Sequence, residues 1–329
     1  MAQARPFVLL AALALGCTAP RDGLAPVPQD LPASQLFDDA ELLFRAREYG
    51  RALEAYQLVA HEAERQGDRP ITVQACAMAA RCYSLAGDLA KGQMWLERAQ
   101  DRANVAEPRG WARTQLVGGI YQRERGDRLA ALDTFAQLYD YCRIEALNSE
   151  AIDAAHHAAL VAPLEAQVSW AHQGLAAARA AGDERWQAIL WNNLGSTLEE
   201  QGRFEEMLEA YQQARVFHRR TGGPRQSLIA DWAVGRALRR LGRTEEAWTL
   251  MADALVRADG LQVASPGPAS LEWVGYVHWE LGELASLRDD RDLARHHLSR
   301  ALDVLMEAGV QEVWPEGVNG LRVRLVELQ

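Results

Sequence analysis

Cysteine is scarce, with four in 329 residues, so the fold is not a disulfide scaffold. Long apolar runs are missing as well. The run from Phe7 to Leu15 falls short of the roughly 20 residues that span a bilayer, and no second run is long enough. There is no excess of basic charge: 35 Lys and Arg stand against 45 Asp and Glu, for a net charge of -10. That argues against nucleic acid as a partner, because phosphates must be neutralised by a basic face. Motifs that carry chemistry are absent too: no GxxxxGK loop, no HExxH and no CxxC pair. His156-His157 and His296-His297 invite a metal reading. Adjacent helical residues point roughly 100° apart, so neither pair chelates as a unit, and both are expected on solvated or cap-side positions. Arg288 to Asp292 lacks the glycine and the terminal Glu of a calcium loop and reads as a turn with a helix-capping Asp. Glu199-Glu200 and Glu245-Glu246 read as helix-surface pairs. No catalytic residue, metal site or cofactor is therefore assigned, and an enzyme pocket assembled between helices is retained only as a minor alternative. What is present is an ordinary globular balance, 49% hydrophobic and 24% charged, which excludes a disordered chain.

The N-terminus carries an address. Arg5 precedes the short apolar run, which has the length of a secretory signal core. The run ends at Leu15-Gly16-Cys17-Thr18, which resembles the lipobox of bacterial lipoproteins. That resemblance implies cleavage after residue 16, lipidation at Cys17 and a membrane attachment through the lipid. It departs from the family pattern at Ala14, where Leu is usual, and at Leu15, where a small residue is commoner. Ordinary cleavage after Ala12-Leu13-Ala14 and an uncleaved anchor remain alternatives. Thr18 after the cysteine gives no inner-membrane retention signal, so the expected place is the outer membrane facing the periplasm, or else a secreted or periplasmic product. Residues 17–32 hold four prolines and read as a tether. Cys76, Cys82 and Cys142 then remain. Cys76 and Cys82 point roughly 240° apart on one helix, so they do not pair, and all three read as small core residues.

The rest of the chain repeats. In residues 188–221, Trp191, Leu194, Gly195, Leu198, Gly202, Phe204, Tyr211 and Ala214 fall in one frame, with Met207 where alanine is usual. The frame resembles the tetratricopeptide repeat, a helix–turn–helix unit of about 34 residues. Small residues let the two helices approach, large ones fill the space around the contact, and Gly202 supplies the turn between them. Gly235, Leu238, Gly242, Ala247, Met251 and Ala254 repeat the frame at 228–261. Gly282, Ala294, Leu298 and Ala301 repeat it at 275–308, with Asp289 in place of the turn glycine. Upstream frames are 33–66 (Tyr49, Ala52, Tyr56), 73–106 (Ala80, Tyr83, Gly87, Leu96, Ala99), 112–145 (Gly126, Ala131, Phe135) and, weakest, 149–182 (Ala154, Ala166, Trp170). The large residue of the second helix is Tyr56, Leu96, Phe135, Trp170, Tyr211, Met251 or Leu298, at intervals of 35 to 47 residues. Longer helices or loops must absorb the excess over 34, and Gly260 to Ser270 reads as a Gly/Pro loop. The predicted fold is all-α: a right-handed solenoid of about seven such repeats over 33–309, closed by a C-terminal cap at 310–329 in which Leu321, Leu325 and Leu328 keep helical spacing. Trp191 is expected in the core, and Trp95, Trp111, Trp170 and Trp248 are expected to pack.

The resemblance also implies a ligand groove lined by the first helix of each repeat. Its usual contact positions fall here on Arg81, Arg113, Arg123, Asn192, Asn193, Ser196, Glu199, Trp232, Arg236, Arg239, Arg240, Tyr276, Trp279, Glu280 and Glu283. The strongest candidates are Asn192, Asn193, Ser196, Trp232, Arg236, Arg239, Tyr276 and Trp279. Asn193 matches an asparagine that in related repeats bonds a peptide backbone, and its amide donates and accepts at once. Arginines hold carboxylates in two-pronged fashion, and aromatics give rigid contact. Core packing competes for the tryptophans, and helix-end charge for Arg239 and Arg240. The implied function is an envelope-anchored scaffold or adaptor that binds a peptide or protein segment. The alternative is a sensory or substrate-binding protein holding a small acidic ligand between repeats.

Overall fold

A computed structural model describes residues 31–328. The sequence readings for residues 1–30, the signal, the lipidated Cys17 and most of the tether, lie outside the described residues. Among those described the chain is helical without a strand. Seven hairpins follow one another: α1 (Ala33–Arg45) with α2 (Tyr49–Gln66), α3 (Arg69–Leu85) with α4 (Leu89–Gln100), α5 (Pro108–Glu124) with α6 (Arg128–Ile144), α7 (Asn148–Val161) with α8 (Leu164–Ala180), α9 (Glu184–Glu200) with α10 (Phe204–Thr221), α11 (Pro224–Arg240) with α12 (Thr244–Ala264), and α13 (Pro268–Leu287) with α14 (Arg291–Glu307). A short α15 (Val310–Val313) and α16 (Pro315–Glu327) close the chain. The hairpins divide into two compact units, one ending at Gly182 and one beginning at Asp183.

A dipeptide explains the punctuation. Gly67-Asp68, Gly87-Asp88, Gly126-Asp127 and Gly182-Asp183 each end one helix and start the next. The glycine takes positive φ, as a left-handed stop requires. The aspartate side chain then accepts a backbone N–H of the next helix: Ile71 on Asp68, Lys91 on Asp88, Ala130 on Asp127 and Trp186 on Asp183. Asp290 does the same for Leu293, so the acidic run there is a capped turn as its sequence implies. Arg47, Ala146 and Asp289 occupy the same left-handed position without being glycine, with φ of 63°, 55° and 57°. Such a conformation costs an L residue about 1–2 kcal/mol. Ala146→Gly and Arg47→Gly are therefore expected to gain a few tenths to about 1 kcal/mol in urea melts, after the extra chain entropy of glycine is subtracted. A loss of stability in both variants would contradict the strain.

Within each hairpin the frame read from the sequence sets the packing. Tyr56, Leu96, Phe135, Tyr211, Met251 and Leu298 are buried. A Cβ on Gly119, Gly195, Gly235 or Gly282 would collide with Phe135, Tyr211, Met251 or Leu298 respectively, so these glycines are small because the facing side chain lies over them. The fourth hairpin departs from its sequence frame. Trp170 is half-buried, edge-on to Tyr139 at 5.7 Å, and Ala171, Gly174, Leu175 and Ala178 form the buried wall of α8 instead.

Of the two ways to absorb the excess length, the helices take most of it: α5, α9 and α11 begin four residues before their sequence frames, and α13 begins seven before. Two expectations need correction. Most of the Gly260–Ser270 stretch is helix, because α12 continues to Ala264 and α13 starts at Pro268; only Ser265 to Gly267 connect them. Trp191 is half-buried, while its neighbour Leu190 is in the core. The cap behaves as read: Val318 and Leu321 are buried, α16 packs on α14, and Gly317 leaves room for the Trp314 indole. Cys76, Cys82 and Cys142 are free and buried, and burial pushes their thiols up to about 11, 12 and 12. No helix among the described residues is long and apolar enough to cross a membrane.

Candidate functional site

The first helices of successive hairpins touch in both units: α1 with α3, α3 with α5, α5 with α7, and α11 with α13. Within each unit the second helices pack on their own partners and on the next first helix. This layer of first helices is the face on which the sequence frame places the ligand positions.

In the unit ending at Gly182 that face is crossed by the chain's own ion pairs. Arg113 on α5 clasps Glu41 on α1 at 2.7 and 3.1 Å. Arg81 on α3 clasps Asp153 on α7 at 2.8 and 3.5 Å. Each pair skips a hairpin, so the face curves tightly enough for alternate repeats to meet. Burial pushes the Glu41 carboxyl up, but Arg113 and the Tyr56 hydroxyl more than reverse it and hold it below the usual range. Burial also opposes ionisation of Asp153, and Arg81 with His157 overcomes it. Arg123 completes the face through His157 Nδ1 at 2.9 Å. His157 is buried and stacked on Phe135 at 5.2 Å, so it is a core histidine and not a solvated one.

In the unit beginning at Asp183 a second ladder joins neighbouring first helices. Arg236 and Arg240 on α11 both donate to Glu199 Oε1 on α9, each from Nε at 3.1 Å. Arg239 grips Glu280 on α13 at 2.6 and 3.3 Å, and Glu283 takes Arg324 of α16 at 3.3 and 3.2 Å. Arg239 overcomes the burial of Glu280 and holds its carboxyl below the ordinary range. Asn192, Asn193, Ser196, Arg236 and Trp279 are half-buried on three consecutive first helices. Ser196 Oγ lies 3.2 Å from Tyr211 Oη, and Trp279 stacks on Trp314 at 5.6 Å.

Trp232 and Tyr276 do not line the face. They are 5% and 3% exposed, and Trp232 Nε1 donates to the Tyr276 carbonyl at 3.3 Å. The early start of α13 is the reason. Its extra turns bring Trp273 edge-on to Trp232 at 5.6 Å and seal it inside.

Sequence reasoning named the arginines with Glu199, Glu280 and Glu283 as ligand positions and missed that Glu199 and Glu280 pair with those arginines. Glu41, Asp153 and Asp231 carry much of the electrostatics and were not singled out. Asp231 is fully buried on α11, in contact with Arg215, with Arg219 at 3.1 Å and with Arg257 at 2.6 Å. Its signal was a lone acid in an otherwise apolar stretch, Leu228 to Gly235. His297 is likewise buried, with Nδ1 2.9 Å from His278 Nδ1. Among the described residues no group of three or more His, Cys, Asp and Glu is placed to hold a metal.

Comparison with known proteins agrees with this architecture. Residues 186–256 match the family model of the tetratricopeptide repeat. No curated protein sequence matches the chain. Among solved structures, a STAND signal transduction ATPase with a tetratricopeptide repeat sensor, from Pyrococcus horikoshii, matches with a TM-score of 0.67 at 13% identity, over 88% of this chain. This chain spans 44% of that protein's length. A Rap protein complexed with Competence and Sporulation Factor matches at 0.50 and 13% identity, over 90% of this chain and 98% of its own. The apo form of RapI matches at 0.52 and 11%, over 83% and 97%. At these identities the likeness is one of fold: an all-α array of tetratricopeptide-like hairpins.

Proposed function

We propose that this protein is an envelope-anchored scaffold, tethered through a lipid on Cys17 at the outer membrane, that holds a peptide or protein segment on the first helices of its second unit. The observation that carries the reading is the run of half-buried amide, hydroxyl, guanidinium and indole groups on α9, α11 and α13. Half-buried groups of this kind supply directional bonds to an extended backbone while losing little water. A Rap protein of similar fold was solved complexed with Competence and Sporulation Factor, which supports a binding role for such a fold. A small acidic ligand is the weaker alternative, because Arg236, Arg239 and Arg240 already hold the chain's own carboxylates.

The test separates binding from stability. Arg236 belongs to a partly buried pair with Glu199, so Arg236→Ala is expected to lower both affinity and stability. Asn193→Ala is the cleaner probe. In a fluorescence-polarisation panel of short peptides it is expected to weaken the best binder about tenfold, the loss of one to two buried hydrogen bonds, and to lower Tm less than Arg236→Ala does. Unchanged affinity in both variants would move the binding surface elsewhere. For the anchor, Cys17→Ser is expected to shift the protein from the membrane fraction to the periplasmic extract or to block processing, and unchanged fractionation with no lipid on the wild type would remove that part of the proposal.

A further inference from the structure

In the unit beginning at Asp183, one carboxylate is served by three guanidiniums. Asp231 on α11 is 0% exposed. Arg215 and Arg219 reach it from α10, and Arg257 reaches it from α12 at 2.6 Å. Neutralising a buried carboxylate takes one guanidinium. The other two add like charges that repel each other, so the cluster holds more positive charge than the fold needs. Asp253 on α12 offsets part of it, from Arg257 Nε at 3.1 Å, but its side chain is 68% exposed and the pair is screened by water. The surplus therefore lies between one and two unit charges. Arg220, next along α10, is turned to Glu184 at 2.6 Å and takes no part.

The donors are in surplus too. Three guanidiniums bring about fifteen N–H groups to a carboxylate with about four lone-pair sites. Arg215 approaches Asp231 through Nε, and its two Nη groups have no acceptor among the described residues. Arg219 donates from Nη2 alone, which leaves Nε and Nη1. Their side chains are 28% and 52% exposed, so these edges face water while the inner edges face Asp231. Arg257 adds charge rather than donors, because its unused Nη2 is buried. Asp231 thus fixes the arginines in place, at no cost to their outer edges. An anion that carries between one and two charges and several acceptor oxygens, as a phosphoryl group does near neutral pH, matches both surpluses.

We propose that Arg215, Arg219 and Arg257, organised by Asp231, form a binding site for a phosphoryl oxyanion. The guanidiniums come from second helices, so the site lies off the layer of first helices and is independent of the peptide-binding reading.

The probe is inorganic phosphate, titrated into the full chain at constant ionic strength while the arginine Nε–H resonances are followed by NMR. Single Arg→Gln changes assign the signals. The expected result is a saturable shift at Arg215 and Arg219 that chloride does not produce. Arg219→Gln, at the most exposed member, is expected to weaken phosphate about tenfold with the fold kept. Arg220→Gln removes the same charge one residue away and is expected to leave the affinity unchanged. Asp253→Asn is expected to tighten it about two- to fivefold. No saturable shift, an affinity unaltered by Arg219→Gln, or an equal loss in Arg220→Gln overturns the site. The source of the phosphoryl group is read by sedimenting the full chain carrying Cys17→Ser with phosphatidylcholine vesicles, with and without phosphatidylglycerol. Capture that needs phosphatidylglycerol and falls in Arg219→Gln supports the site with a lipid headgroup as its ligand. Phosphate binding without such capture supports it with a soluble phosphorylated compound.

Discussion

Asp231→Ala is expected to destabilise the second unit by about 3 kcal/mol, the low end of the 3–5 kcal/mol range for breaking a buried ion pair. The carboxylate is wholly inside, yet it touches three guanidiniums, from Arg215 and Arg219 on α10 and from Arg257 on α12. One side chain thus ties α11 to the helix before it and the helix after it. Removing it leaves three like charges without their common counter-ion. They are partly exposed and regain water, which is why the low end of the range applies. Removing arginines one at a time should behave differently. Arg219→Ala leaves two donors on the carboxylate and is expected to cost about 1 kcal/mol or less. Arg215→Ala with Arg257→Ala leaves the buried carboxylate with only the most exposed partner, and the double change should cost more than the sum of the singles. Urea melts of the five variants, the three single arginine changes, the double and Asp231→Ala, measure this. Additive small losses, with Asp231→Ala below 1 kcal/mol, would show that the cluster is a surface feature.

The repeat was legible because its signals are local. Gly-Asp turns, small residues facing large ones and proline at helix starts each act within a few residues, so Gly195 under Tyr211 and Gly235 under Met251 follow from spacing alone. The fourth hairpin was not legible. Its turn is two residues with Pro163 and no glycine, so nothing fixed the frame of α8 and Trp170 was assigned to a place that Ala171 and Gly174 fill. The candidate face was half legible. Position within a repeat puts Asn193 on α9 and Arg236 and Arg239 on α11, both first helices. It did not reveal the partners, because Glu41–Arg113 and Arg81–Asp153 link residues two repeats apart, which depends on the curvature of the stack. Trp232 and Tyr276 were lost for a related reason. The extra turns of α13 add a layer that a 34-residue frame has no place for.

Buried histidines in both units are expected to make the protein acid-labile. His278 and His297 face each other in the unit beginning at Asp183, with His296 and Arg300 adding positive charge nearby and Trp248 packed on His297 at 6.1 Å. Burial, then the charge of His297, lowers His278 to about 4, and His297 is lowered by burial and His296. In the unit ending at Gly182, burial lowers His156 to about 4 against the pull of Asp153, and His157 falls well below its ordinary value. An unfolded histidine titrates near 6.5. Between about pH 6.5 and 4 the unfolded chain therefore binds protons that the folded chain refuses, and stability falls as pH falls. For His278 alone a depression to about 4 corresponds to about 3 kcal/mol across that window. The carboxylates behave oppositely in range. Glu41, Asp153 and Glu280 are held below their ordinary values, so their contribution persists until the pH drops below about 4. Urea melts from pH 7 to 4.5, fitted with a transition for each unit, should show stability declining first through histidine protonation. The double change His278→Leu with His297→Leu, which keeps the volume apolar, should flatten that slope in the second unit and leave the first unit's slope intact. A stability that is level between pH 7 and 5 in the wild type would mean these imidazoles reach solvent as freely in the folded chain as in the unfolded one.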